Sequence, residues 1–226
     1  MKASKHNAEM HYNRGEDIYD WMLDTEHRQY SCALFKDTNE TLEQAQTNKL
    51  SHIVKKLNLK PGQRVLDIGC GWGGLGRYIA KVIGCEVHGI SLASNQIDYC
   101  KKKAREFKLD NLLSYELCDY REVKGSWDRI INVGFFEHVS PKFYKTFFKK
   151  INDLLKDDSD AICLTHTIAS TNPPSPVNPF INKYIFNGGK VPTASQITKA
   201  IEKSGLIISG WESLIDHYNL TLDHWR

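Results

Sequence analysis

The stretch Val65-Leu66-Asp67-Ile68-Gly69-Cys70-Gly71-Trp72-Gly73-Gly74 constrains this chain more than any other. An apolar run that reads as a buried strand passes directly into four glycines and then into a helical pattern. Glycines at such a junction let the backbone approach a ligand closely, and the helix N-terminus that follows favours negative charge. Gly69, Gly71 and Gly74 satisfy the spacing GxGxxG, a weak signal taken alone.

The rest of the chain repeats the strand-then-helix arrangement. β-rich runs fall at 64–68, 86–91, 113–117, 129–134 and 161–167, and helical stretches at 74–83, 94–107 and 140–155 lie between them. This alternation predicts a parallel sheet covered on both faces, a doubly wound α/β fold. A further helix at 193–204 and a strand at 206–210 are expected to extend the sheet. Ahead of it, residues 1–37 read as short helices and loops, and 41–57 as a helix with Leu42, Ala45, Leu50, Ile53, Val54 and Leu57 on one side. The Pro- and Asn-rich stretch 171–179 reads as an insertion or lid.

Two details separate the ligands a glycine turn can hold. A nicotinamide dinucleotide site wants a carboxylate about 20 residues downstream for the ribose hydroxyls. Here the second strand ends Gly89-Ile90-Ser91-Leu92-Ala93-Ser94-Asn95-Gln96, with none. Asp67, two residues before Gly69, instead suits a ligand bearing an ammonium group. S-adenosylmethionine (SAM) carries one, in its methionyl part.

Composition narrows the class. The chain has 226 residues, 41% hydrophobic and 25% charged, the profile of one globular domain. No apolar run reaches the roughly 18 to 20 residues that cross a bilayer. Residues 1–7 do not form a signal peptide, and the six cysteines include no CxxC pair, so no metal centre is expected and a reduced, cytoplasmic location is. A formal charge of +3 tolerates an anionic membrane and does not call for nucleic acid. The 140–155 helix carries Phe143, Phe147, Ile151 and Leu154 on one side and Lys142, Lys145, Lys149 and Lys150 on the other. It reads as a sheet-covering helix with a solvated lysine face, in preference to a membrane-surface helix.

Segments spread over most of the chain carry a more specific likeness. They are His11-Tyr12, Tyr30-Ser31-Cys32-Ala33, the glycine turn, 91–96, Asp119-Tyr120-Arg121, Phe136-Glu137-His138-Val139, Thr165-His166-Thr167-Ile168, 183–189, and His217-Tyr218 with Thr221-Leu222 and Trp225. With them the sequence resembles the cyclopropane fatty acid synthase family, which includes the mycolic acid cyclopropane synthases. The resemblance implies a single Rossmann-like class I methyltransferase domain over 1–226: an N-terminal helical cap to residue 57, a core over 58–226, and a lid near 171–190. It implies transfer of the SAM methyl to a cis double bond in a phospholipid acyl chain. The alkene attack leaves a carbocation, and ring closure needs a base, which the family supplies as bound bicarbonate.

Carried over motif by motif, the bicarbonate cradle is Cys32, Glu137, His166, Ile168 through its backbone, and Tyr218. Cofactor contacts fall to Tyr30, Ser31, Gly69, Gly71, Ser91, Leu92, Gln96 and Tyr120, joined by Asp67 for the ammonium group. The implied partners are membrane phospholipids met at the inner membrane face, with a homodimer as a further possibility. His138 is the rival base, expected to face away from Glu137 if strand geometry continues there. Cys32 reads as a small buried group without a nucleophilic part. The family continues several tens of residues past the 217–225 segment, as helices over the site, and it has proline where Asn187 stands. A small-molecule N-methyltransferase of the same fold, or an impaired SAM- or lipid-binding form, are the alternative readings.

Overall fold

A computed structural model of the chain describes residues 16–173, 177–180 and 189–226. Five parallel strands, β1 (Arg64–Ile68), β2 (Glu86–Ser91), β3 (Leu113–Leu117), β4 (Arg129–Val133) and β5 (Ile162–His166), form one sheet in the order β3-β2-β1-β4-β5. The order reverses next to β1, so the carboxyl ends of β1, β2 and β4 open a crevice where ligands of such sheets sit.

Helices cover both faces. On one side α2 (Leu42–Lys56), α3 (Gly74–Ile83) and α4 (Ser94–Glu106) bury Leu50, Ile53, Leu75, Ile79, Ile97 and Cys100 against Val65, Val87 and Ile131. On the other, α5 (Tyr144–Leu154) and α6 (Ala194–Glu202) pack Phe147, Phe148, Ile151 and Ile197 onto Leu66, Ile68, Ile90 and Ile130. The alternation of faces along β1 is thus consumed on both sides. Thr41 starts α2 with a capping box: its hydroxyl accepts from the Gln44 N–H at 3.3 Å, and Gln44 Oε1 accepts from the Thr41 N–H at 2.9 Å. α3, by contrast, has Gly73 at its N-cap and no side-chain cap. Its first N–H groups are left for another partner.

Ahead of the core, α1 (Glu16–Met22) sets Tyr19 and Leu23 against Trp72 of the glycine turn. The Asp24 carboxylate accepts the backbone N–H groups of His27, Arg28 and Gln29 at 2.7, 3.1 and 2.7 Å. This turn lays His27 on the start of α3, where a Cβ built on Gly74 would stand 1.9 Å from the His27 carbonyl oxygen. Gly74→Ala is therefore expected to destabilise the chain by about 3 kcal/mol, through overpacking of rigid backbone. A thermal melt checks it: an unchanged midpoint would mean that the cap does not dock here.

Three expectations need correction. Residues 206–210 form no strand; Ile207 is 92% exposed while Leu206 tucks against the α5–α6 layer. An apolar run suits a sheet, but a strand exists only where a neighbour supplies the hydrogen-bond ladder. The 140–155 helix begins as a separate 3-10 turn, Pro141–Phe143, which leaves Phe143 39% exposed rather than on the apolar side. Lys150 is likewise not purely solvated, since its Nζ donates to the Val123 carbonyl at 2.7 Å. A helix the pattern did not announce, α7 (Ile215–Trp225), closes the described chain. Of the expected lid, 174–176 and 181–188 lie outside the described residues, as do His11 and Tyr12.

Candidate active site

The strand ends position the cofactor-side residues. β1 ends in Asp67-Ile68-Gly69, with Gly69 and Gly71 at φ of +80° and +52°. A Cβ on Gly71 would meet nothing within 4 Å, so this backbone faces open space with a left-handed geometry that glycine adopts without strain. β2 ends at Ser91, whose hydroxyl bonds Gln96 Oε1 at 3.0 Å and accepts the Ala93 N–H at 3.1 Å. Leu92 is half-buried between them. After β3, Tyr120 is buried edge-on against Phe135 and Phe147, 5.7 and 5.2 Å between centroids. Phe135 in turn stands 2.6 Å from where a Gly69 Cβ would be, so the ring joins the glycine turn to the Glu137 segment. The buried Asp67 carboxylate suits a ligand's ammonium group, the open space at Gly71 allows close approach, and the uncapped helix start offers N–H donors to an acceptor or anionic group.

The residues expected to form the cradle come from four distant segments and line a common cavity. Cys32, Glu137, His166, Ile168 and Tyr218 all line one cavity of about 1830 Å³, and Tyr30 and Ser31 share its wall. Cys32 follows the Asp24 turn, His166 ends β5, Ile168 lies two residues beyond, and Tyr218 projects from α7. Glu137 sits in a 3-10 turn, Phe136–His138, that follows β4. That turn corrects the expectation of continued strand geometry: Glu137 is 2% exposed and His138 is exposed because of the helical turn, not because of strand alternation.

Hydrogen bonds decide how these groups are aimed. The Ile168 N–H donates to Glu137 Oε1 at 2.9 Å, while the neighbouring Thr167 hydroxyl donates to the Ile168 carbonyl at 3.2 Å. The backbone of Ile168 therefore holds Glu137 through its N–H. Glu137 Oε2 and His166 Nδ1 are buried with no partner among the described residues. Leaving such atoms unpaired costs about 1–3 kcal/mol each. An unpartnered acceptor and an unpartnered ring nitrogen on one cavity suit a small oxyacid that both donates and accepts.

Burial sets the protonation states. It raises the Glu137 carboxyl above its ordinary range, opposed by the bond from Ile168. It lowers His166 to about 4, assisted by the Lys49 charge, so the ring is neutral at pH 7. Burial also raises Tyr218, helped by Tyr30, Glu137 and Cys32 nearby, which keeps its hydroxyl a donor. Cys32 is pushed up to about 11 by burial. Its thiol is then expected to react with iodoacetamide about 100-fold more slowly at pH 8 than a free cysteine. Peptide mapping after timed alkylation checks it, and rapid labelling would restore a nucleophilic role.

Lys49 escaped the sequence reading. It lies on the buried face of α2 with Ala45, Gln46, Leu50 and Ile53, and it lines the same cavity. The signal was present: a lysine at a core-facing helical position is rare without a partner.

Comparison with known proteins places the chain. The family model described as "Mycolic acid cyclopropane synthetase" matches residues 1–226. Over 215 residues the chain is 41% identical to the cyclopropane-fatty-acyl-phospholipid synthase of Escherichia coli K12, covering 95% of this chain and 54% of that protein. The chain spans about half the length of the first curated relatives it matches. The cyclopropane synthase MmaA2 of Mycobacterium tuberculosis superposes with a TM-score of 0.90 at 30% identity, over 98% of this chain and 81% of that one. The mycolic acid cyclopropane synthase CmaA1, solved with SAH and CTAB, gives 0.89 at 28% identity, over the same shares.

Proposed function

The chain belongs to the mycolic acid cyclopropane synthetase family, and from that premise we propose that it transfers the methyl carbon of SAM to the cis double bond of a phospholipid acyl chain, with bicarbonate as the base, to give a cyclopropane. When bound, SAM supplies an electrophilic methyl group and bicarbonate a proton acceptor beside it. The observation that carries the reading is that Glu137 Oε2 and His166 Nδ1 are both buried with no partner among the described residues, on residues that line one cavity with Tyr218 and Cys32.

Each residue has work that its state allows. Glu137, fixed by the Ile168 N–H, would accept the bicarbonate O–H and so turn a basic oxygen toward the reacting carbon. Neutral His166 and protonated Tyr218 give hydrogen bonds to the remaining oxygens. Protonated Cys32, whose Sγ lies 3.3 Å from the Ala33 carbonyl and 3.7 Å from that of Leu214, fills space without attacking. Tyr30 and Tyr218 pack on Trp225 at 5.1 and 6.2 Å, and aromatic faces suit positive charge at a nearby carbon. Ser91 and Gln96 hold the ribose, Leu92 and Tyr120 the adenine side.

The acyl chain enters from a lipid surface. Ile168, Ile207, Trp211 and Ile215 line the cavity and are 36, 92, 55 and 60% exposed, an apolar rim of the kind that contacts membranes. Among the described residues no helix is long and apolar enough to cross a bilayer, and peripheral contact at the inner face matches the substrate. The test is mass spectrometry of phospholipids from cells expressing the chain. A gain of one CH₂ on monounsaturated species, with chromatography that separates rings from methyl branches, is the expected result. No gain, with SAM bound, overturns the assignment.

A further inference from the structure

Lys49 presents a charge that the proposed reaction does not use. The residue is 2% exposed, and its ammonium donates to Gln29 Oε1 at 2.5 Å and Ser31 Oγ at 3.0 Å. Both acceptors are neutral. Among the described residues no carboxylate forms an ion pair with it. Asp24 and Asp67 act on it only from a distance, and Asp24 is already engaged by three backbone N–H groups. An ammonium has three N–H donors, and two are accounted for. A buried charge of this kind is costly unless an opposite charge reaches it, and Lys49 lines the cavity beside Tyr30, Ser31 and Cys32.

The neighbouring groups also bear on which anion fits. Ser31 Oγ accepts from Lys49, which leaves its own O–H free to donate onward to the same ligand. Asp67, on β1, is a buried carboxylate that interacts electrostatically with Lys49, on α2. The two are therefore opposite buried charges on neighbouring elements, one for an ammonium and one for a carboxylate. That is the complement of an amino-acid zwitterion, the end group of the cofactor. We propose that Lys49, together with Ser31, binds the α-carboxylate of the methionyl group and so selects an intact amino-acid tail. The inference rests on the cofactor assignment above and adds the residue that recognises its anionic end.

Burial lowers Lys49 to about 8 and raises Asp67 to about 7, so without ligand each charge is held at a cost that a zwitterion removes. The titratable groups that interact with Lys49 are Asp24, His27, Cys32, Asp67 and His166. His27 and His166 are lowered, and Cys32 is raised to about 11. Between about pH 7.5 and 9.5 the group among them whose charge changes most is Lys49, with a smaller change at Asp67 completed near the low end.

Calorimetry with two probes tests the proposal: S-adenosylhomocysteine, and S-adenosyl-3-thiopropylamine, the same thioether and amine without the carboxylate. Lys49→Met is expected to weaken S-adenosylhomocysteine about 30-fold or more while the amine analogue changes less than about twofold. In the unmodified chain the affinity ratio of the two probes is expected to fall about tenfold between pH 7.5 and 9.5, as Lys49 loses its proton. That second measurement decides the matter if the Lys49→Met chain does not fold. Parallel loss of both probes, no loss of either, or a flat pH ratio overturns the proposal. A change confined to the bicarbonate dependence of turnover overturns it too, by assigning the charge to the cradle. If neither probe binds the unmodified chain, the cofactor assignment falls and this inference with it. If both bind equally, only this inference falls.

Discussion

Glu137→Gln is expected to lower turnover by about 10²–10⁴-fold while S-adenosylhomocysteine affinity stays within about twofold. The side chain keeps its length and volume. The Ile168 N–H, 2.9 Å from Oε1, requires an acceptor, so the amide oxygen takes that place and the amide nitrogen takes the place of Oε2. A donor then stands where the unpartnered acceptor stood. On the proposed mechanism the group that aims the base is lost, while the residues proposed for the cofactor at the ends of β1 and β2 are untouched. Steady-state kinetics with calorimetry separates the outcomes, and equal loss of binding and turnover would make Glu137 a structural or cofactor residue. Because burial raises the Glu137 carboxyl, the acid limb of the activity profile should also lie above the ordinary carboxylate range.

Asp67→Asn is the second large effect, with opposite signs for stability and binding. Burial raises the Asp67 carboxyl to about 7, opposed by Lys49. The unfolded chain ionises it near 3.8, so folding takes up a proton between about pH 4 and 7. Stability from this group is complete below that window and is lost as pH rises through it. The loss approaches about 4 kcal/mol by pH 8. Asn cannot titrate, so the ligand-free variant is expected to melt higher than the parent at pH 8 and close to it at pH 4. Cofactor affinity should fall about 100-fold, since an amide offers no charge to the ammonium group. Melting curves across that range with and without S-adenosylhomocysteine check both halves. A variant less stable at pH 8, or one binding as well as the parent, would remove Asp67 from the cofactor's ammonium.

Much of the fold was legible in local pattern, and the misses have physical causes. β1, β2, β3 and α3 were read with the bounds they have, because strand and helix patterns alternate there within short stretches of sequence. Residues 206–210 carry the same apolar signal, yet Ile207 faces solvent. Strand formation there needed a neighbour that no short-range pattern can reveal. α7 was missed because its residues are mostly half-buried or exposed, with Thr221 its one fully buried residue, so its apolar periodicity is faint. At the site, Glu137 was named from its motif. The 3-10 turn that buries it, and the Ile168 N–H that aims it, depend on how the end of β4 meets the end of β5.

From the sequence alone came the glycine turn, the alternation that makes the sheet parallel, and the absence of a carboxylate after β2 that disfavours a nicotinamide ligand. These are properties of residues within a few positions of one another, where steric freedom and side-chain periodicity act directly. Tertiary structure alone decided which distant groups share a cavity, that Glu137 Oε2 and His166 Nδ1 go unpartnered, and that Lys49 is an enclosed charge. Proximity across the chain and the loss of water around a group arise only when the layers pack. Packing, more than residue identity, makes His166 neutral, keeps Cys32 a thiol and lifts Glu137 above an ordinary carboxyl.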